Sequence, residues 1–353
     1  MLTKQVLLSI HLNSKIKVKE FTNMKSKWLL DDYMIKTSYH GDIRQILASM
    51  GFDYHVEKYV PFSDTMPALQ YATDDSVFIH GKKFIPASDG FDAGQNSQNS
   101  VIIYGKPYIQ MPEPVSTIPF KKDDCVVIYG SISFVRQQMK QHRFIPGGYL
   151  PEKTMESLGY MPYIDKPELM ANYNHVFTTF KDFIHRKEFF YDTFNTNKVF
   201  IRPNSGLKTF TGLPVHLDEF DYEINTLRQL KQVSDDVLIL VSNCKKIAEE
   251  YRFFIVNREV ITGSQYKLND ELNVKVGYAQ EAYEVALEMA TNAWQPDIAY
   301  ACDVGIVNGE PKIIELNSFS SSGFYACDIP TIISAIDKVA VMEYNGDISI
   351  GGF

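Results

Sequence analysis

The chain has 353 residues, too long for one small core and suited to two or three packed units. Hydrophobic residues make up 45% and charged residues 22%, which excludes a disordered chain and fits a soluble globular protein. A net charge of -8 argues against a general nucleic-acid binder, which shows a basic face, and leaves nucleic acid only as the carrier of a substrate.

Taken from the start, residues 6–12 are apolar but interrupted by Ser9 and His11. That stretch is too short for a membrane span and lacks a small-residue cleavage site, so the expected location is the cytoplasm and no membrane partner is expected. Residues 53–60 and 101–110 are expected as strands, and residues 76–86 as a hairpin around Gly81. The apolar run 125–129 ends at Gly130-Ser131, and a helix is expected to follow to about Gln141. Buried strand, tight turn and helix together predict an open α/β sheet. Pro146-Gly147-Gly148, followed by Pro151, marks a boundary, giving an N-terminal α/β domain over 1–150 and a second unit over 151–353.

In the second unit, helical patterns cover much of 167–191, and residues 198–202 form a strand that leads into the loop Asn204-Ser205-Gly206. A helix is expected over 218–231 and a strand over 237–241. Residues 251–256 and 259–262 make a hairpin about Asn257-Arg258. Ala282, Val285, Ala286, Met289, Ala290 and Ala293 recur at helical spacing. Two further strands, 298–307 and 312–317, turn at Asn308-Gly309. The four cysteines, Cys125, Cys244, Cys302 and Cys327, have no metal-binding spacing and are expected as reduced, mostly buried thiols.

Three segments carry candidate chemistry. Arg202, at a strand end, precedes a loop with two glycines in which Lys208 follows six positions later. Such a loop either approaches phosphate with its backbone N–H groups or is a solvated hairpin. Glu250-Tyr251-Arg252 opens the next hairpin, with Glu250 and Arg252 on one face and Tyr251 on the other. Glu315 and Asn317, two apart on a strand, share a face, and Asp303 stands on the neighbouring strand. Those oxygens suit Mg²⁺ bridging nucleotide phosphates, provided that Asp303 pairs with Glu315. A strict two-residue loop at Asn308-Gly309 would pair Asp303 with Ile314, so a three-residue loop that includes Glu310 is expected. The following Ser318-Phe319-Ser320-Ser321-Ser322-Gly323 is either a substrate loop or an exposed connector.

The order of these segments resembles the ATP-grasp superfamily from about Pro151 onward. Phe200-Ile201-Arg202-Pro203, Lys208-Thr209-Phe210-Thr211-Gly212, Glu250-Tyr251-Arg252-Phe253-Phe254 and Glu315-Leu316-Asn317-Ser318-Phe319 resemble its R-two-K clade, known chiefly from bacteria and their phages. In that clade Arg-Pro replaces the usual Lys-Pro. The resemblance implies an α/β front domain (1–150) and a two-lobed ATP-grasp domain, with lobes over about 151–242 and 243–353. It further implies that Arg202, Lys208 and Arg252 meet the phosphates and act in catalysis. By the same resemblance Glu250 belongs to the nucleotide site, and Leu240, Val241 and Ser242 offer backbone groups to adenine. Asp303, Glu315 and Asn317 would ligate magnesium. The pattern departs at Ser242-Asn243, where many members carry an acidic residue for the ribose.

The activity so implied is ATP-dependent carboxylate–amine ligation through an acyl-phosphate, with ADP and phosphate released. ATP and Mg²⁺ would be required, and the substrate would be a small molecule or peptide. A kinase on the same scaffold and a non-catalytic nucleotide-binding module are the alternatives. No oligomeric state is implied.

Overall fold

The computed structural model describes residues 24–36, 39, 41–59, 70–71, 77–79, 82–87, 100–103, 106–110, 118–206 and 209–348. The N-terminal apolar stretch, Gly81 and Lys208 lie outside them.

The chain opens with β1 (Lys27–Asp31), α1 (Ile43–Ser49) and β2 (Tyr54–Glu57). Then β3 (Gln70–Tyr71), β4 (Val77–Ile79), β5 (Lys82–Pro86), β6 (Ser100–Ile103) and β7 (Lys106–Gln110) form a separate antiparallel sheet in the order β3-β4-β5-β7-β6. The single strand expected over 101–110 is thus a hairpin, with Ile103 opposite Lys106. The two residues between them, Tyr104 and Gly105, lie outside the described set. Next come β8 (Cys125–Tyr129), α2 (Ile132–Gln141) and β9 (Ile145–Gly147). Strands β2-β1-β8-β9 make a parallel sheet, which gives the front unit the expected α/β character.

The next lobe contains α3 (Ser157–Tyr160), β10 (His175–Thr179), α4 (Phe180–His185), α5 (Lys187–Phe194), β11 (Lys198–Pro203), β12 (Leu213–His216), α6 (Phe220–Leu230) and β13 (Leu238–Asn243). Its sheet is antiparallel, in the order β10-β13-β11-β12. The helical expectation over 167–191 fails at His175–Thr179. There the β-branched and aromatic residues Val176, Phe177, Thr178 and Thr179 pair along β13, and the helix starts only at Phe180, capped by the Thr179 hydroxyl. In β11 the odd residues Val199 and Ile201 are fully buried beneath the helices, while Lys198, Phe200 and Arg202 point the other way.

The last lobe is a meander: β14 (Ile247–Val256), β15 (Glu259–Leu268), β16 (Glu271–Val276), then α7 (Gln280–Thr291), β17 (Ala299–Val307), β18 (Glu310–Ser318) and α8 (Ile329–Asn345). Its antiparallel order is β16-β15-β14-β17-β18. One face packs on α7 through Tyr251, Phe253, Tyr300 and Cys302. The other face presents Phe254, Ala299 and Ala301 to α8.

Helix α8 has two partners. Its Ile332, Ile333 and Ile336 are fully buried among Trp28, Leu30, Val127 and Tyr129 of the parallel sheet as well as among the last lobe. Each such side chain contributes roughly 1.5–3 kcal/mol by leaving water. The front sheet therefore completes its core with α8, the last helix among the described residues. The lobe boundary at 242 falls inside β13. Among the described residues, no helix is long and apolar enough to cross a membrane.

Candidate active site

A single row of side chains crosses the last sheet. Arg252 on β14 lies directly opposite Asp303 on β17, and Asp303 lies opposite Glu315 on β18. The Asp303–Glu315 pairing is the one the metal reading needed, but its expected cause was wrong. The turn is the two-residue Asn308-Gly309, both at positive φ, with Val307 opposite Glu310. The register shifts later, at a β-bulge that leaves Ile314 unpaired between Ile313↔Val304 and Glu315↔Asp303. The bulge also resolves a conflict of parity. Ile313 and Leu316, three apart, both enter the core against α7, while Glu315 and Asn317 both face the site.

The row is densely bonded. Arg252 donates from Nε to Asp303 Oδ1 (2.8 Å), from Nη2 to Oδ2 (2.7 Å), and from Nη1 to the Gly323 carbonyl (3.2 Å). Its side chain is 8% exposed and that of Asp303 is 1% exposed. Asn317 Nδ2 donates to both carboxylates, at 3.0 Å to Asp303 Oδ2 and 3.0 Å to Glu315 Oε1. Burial pushes the Asp303 carboxyl above its ordinary value despite Arg252, and Glu315 and Glu250 push it the same way. The Arg252 fork, expected to meet phosphate, is turned into the sheet, onto the residue directly across from it.

From the facing lobe, Arg202 reaches across. Its Nη2 donates to Glu315 Oε2 (3.0 Å) and its Nη1 to the carbonyl of the bulged Ile314 (3.4 Å). Burial works against its charge, but Tyr160 and Glu315 outweigh burial and hold its pKa above the ordinary value. Glu250 pairs with Lys267 (Nζ to Oε1, 3.0 Å) and accepts the Tyr266 hydroxyl (2.5 Å), so its partner is not Arg252.

Between the two sheets lies a cleft of about 450 Å³. Arg202, Glu250, Lys267, Glu315 and Asn317 are in its walls; Arg252 and Asp303 lie behind. Cys244 and Lys245, just after β13, also line it. Leu240, Val241 and Ser242, expected to meet adenine, lie just before this segment on β13. Those three residues pair with β10 on one side and β11 on the other, so their backbone groups are already bonded. Ser242 Oγ donates to Asn172 (3.0 Å). Cys244 is the one half-buried thiol among four free cysteines.

The strand end after Arg202 is pinned by Asn204. It accepts the Leu158 N–H (2.7 Å) and donates to Glu156 (2.9 Å), a tie that no local pattern announced. Beyond Asn317 a second cavity, of about 230 Å³, runs to Ser131 at the start of α2 and to Ser318 and Ser321. It shares Asn317, Ser205 and Gly206 with the cleft. Ser131 is held by the buried Asp31 carboxylate, which accepts its N–H (3.0 Å) and hydroxyl (2.7 Å).

Residues 181–335 match the second family of the R-two-K clade of ATP-grasp domains. Residues 181–335 thus form an ATP-grasp domain of the R-two-K clade. No curated protein sequence matches the chain. Among solved structures, it is similar to the ATP-grasp ligase PsnB complexed with a minimal precursor, at 11% identity over 90% of this chain and 99% of that one, with a TM-score of 0.46. The D-cycloserine synthetase DcsG is 8% identical over 89% of this chain and 100% of that one, TM-score 0.48. The D-alanine–D-alanine ligase from Bacillus anthracis is 12% identical over 92% and 100%, TM-score 0.46. In this ATP-grasp domain the matched segment runs from α4 into α8 and includes every member of the Arg202–Glu315–Asp303–Arg252 cluster.

The donor set fits magnesium. Two carboxylates and an amide stand side by side on one sheet face, and all can offer the hard oxygens that Mg²⁺ takes alongside phosphate. Among the described residues, no group of three or more His, Cys, Asp or Glu offers another metal site.

Proposed function

We propose that the protein is an ATP-dependent ligase that joins a carboxylate to an amine. The carrying observation is the cleft between the two sheets, where Arg202 from one lobe meets Glu315 and Asn317 from the other. A phosphate chain seated there replaces Glu315 as the partner of Arg202, and Lys267 adds a second cation in the wall. Glu315 and Asn317, backed by Asp303, would hold magnesium, which neutralises charge on the phosphates. Adenine would lie toward Cys244 and Lys245, and Lys208 belongs to the same proposed phosphate site.

The chemistry has two steps. A carboxylate oxygen of the first substrate attacks the γ-phosphorus, the bond to the bridging oxygen breaks, and ADP leaves. The amine nitrogen of the second attacks the acyl carbon, the acyl–oxygen bond breaks, and phosphate leaves with the amine's proton passing to solvent. The second cavity, continuous with the cleft at Asn317, supports a substrate seat there, with the serine loop and the front unit as its walls. Its size suits a small molecule or the end of a peptide. The front unit (1–150) thus serves the substrate, and the two lobes (151–242 and 243–353) serve the nucleotide.

The test is ADP and phosphate release in magnesium and ATP with pooled amino acids and amines. Equal release of ADP and phosphate, dependent on an acid and an amine together, supports the ligase. ADP release with phosphate retained on the substrate would replace it with a kinase.

A further inference from the structure

Tyr325 has a backbone φ of +52°, in the left-handed region, and is the one aromatic residue held there among the described residues. Glycine or asparagine takes that conformation with less strain. Strain of this kind persists where surrounding contacts over-determine it, and it gathers at functional sites.

The contacts of Tyr325 show what the strain secures. Its ring stacks on Tyr266 at 4.8 Å and 11°, and the Arg252 Cζ sits 5.1 Å from the Tyr325 ring and 5.7 Å from the Tyr266 ring. Burial raises both phenols above their ordinary range, so the rings face Arg252 as neutral π surfaces. Gly323, two residues earlier in the same loop, accepts the Arg252 Nη1–H. On its outer side Tyr325 contacts the front unit: its N–H donates to the Tyr39 carbonyl (2.9 Å), and the two rings lie 5.5 Å apart.

We propose that Tyr325 is a positioning residue: stacked on Tyr266, it holds the Arg252 guanidinium on Asp303 and so fixes the row through Glu315 and Asn317 that receives the magnesium nucleotide. The nucleotide part of this role rests on the reading of the cleft as an ATP site. The geometric part does not. Arg252 without its aromatic wall keeps Asp303 as a partner but loses the surface that sets its plane. Asp303 then no longer presents Oδ2 to Asn317, and the amide that joins the two carboxylates is released.

The test uses the full chain as wild type, Tyr325→Phe, Tyr325→Gly and Tyr325→Asn. The glycine and asparagine variants relax the backbone while removing the ring, so stability and positioning are separated. Three quantities are read: the denaturation midpoint, the solvent exchange of the Arg252 Nε proton by nitrogen-15 arginine NMR (assigned with Arg252→Lys), and magnesium-dependent AMP-PNP binding. Phenylalanine is expected to match wild type. Glycine and asparagine are expected to keep a cooperative transition, to speed Nε exchange about tenfold and to weaken magnesium-nucleotide binding about tenfold. Wild-type exchange in a folded glycine or asparagine variant overturns the proposal. Faster exchange in a protein whose wild type binds no nucleotide leaves the positioning role standing and removes the ATP reading instead. Should glycine prevent folding, the asparagine variant carries the comparison.

Discussion

Replacing Arg252 by Met isolates the charge at the centre of the row. The wild-type pair is bidentate, with bonds of 2.8 and 2.7 Å, and Asp303 has 1% of its side chain exposed. Methionine fills much of the arginine volume but leaves a buried carboxylate facing Glu315, with the Asn317 amide as its one side-chain donor among the described residues. Breaking a buried pair in this way costs about 3–5 kcal/mol, against a typical total stability of about 5–15 kcal/mol. The sign with pH follows from Asp303, whose folded pKa is already raised. Without the cation it rises further, so the protonated acid is the form the folded state prefers. The deficit is therefore smallest in acid and grows as pH rises through the folded value. Urea denaturation at several pH values measures it. Arg252→Met with Asp303→Asn regains most of the loss, because no buried charge is left unpaired. A loss below about 1 kcal/mol in the single variant, or no recovery in the double, would refute the reasoning.

Other outcomes follow from the fold. Asp297 is buried and accepts the Ile298 N–H, and burial raises its pKa to about 7. Its folded pKa lies above the unfolded value, so stability is full in acid and is lost as pH rises toward and through about 7; Asp297→Asn removes roughly 2–3 kcal/mol of that loss between about pH 5 and about pH 8, as read by denaturant midpoints across that range. Gly130→Ala would set a Cβ 2.4 Å from the Asp31 Cβ and 2.6 Å from the Phe134 ring. A destabilisation of about 1–3 kcal/mol is expected, with the Asp31–Ser131 bonds displaced, and thermal denaturation together with a crystal structure of the variant checks both.

Much of the site was legible because it is built from strand parity and turn chemistry. Arg202 alternates with buried Val199 and Ile201, and Glu315 and Asn317 share a face, as period-two reading requires. Both hairpins turn where Asn257-Arg258 and Asn308-Gly309 supply positive φ. What stayed hidden depends on contacts distant in sequence. The bulge at Ile314 has no local marker, because Ile313 and Ile314 are alike in sequence and differ only in what they face. His175–Thr179 lies in a helical pattern until β13 pairs with it. Tyr325 and Tyr39 meet across the molecule, and the packing of α8 on the front sheet joins segments about 300 residues apart in the chain. Arg252 was placed on the right face, but its partner was set by inter-strand register, which the local pattern does not contain.

The most direct measurement is calorimetry of ATP binding to the wild type and to Glu315→Ala, with and without magnesium. Glu315 stands at the meeting point of Arg202, Asn317 and the cleft. Magnesium-dependent binding to the wild type is predicted, with its loss in the variant, by about a hundredfold or more, when a charged ligand of the metal is removed. Wild-type protein that binds no ATP at any magnesium concentration, or a variant that binds as well as wild type, would contradict the nucleotide site proposed here.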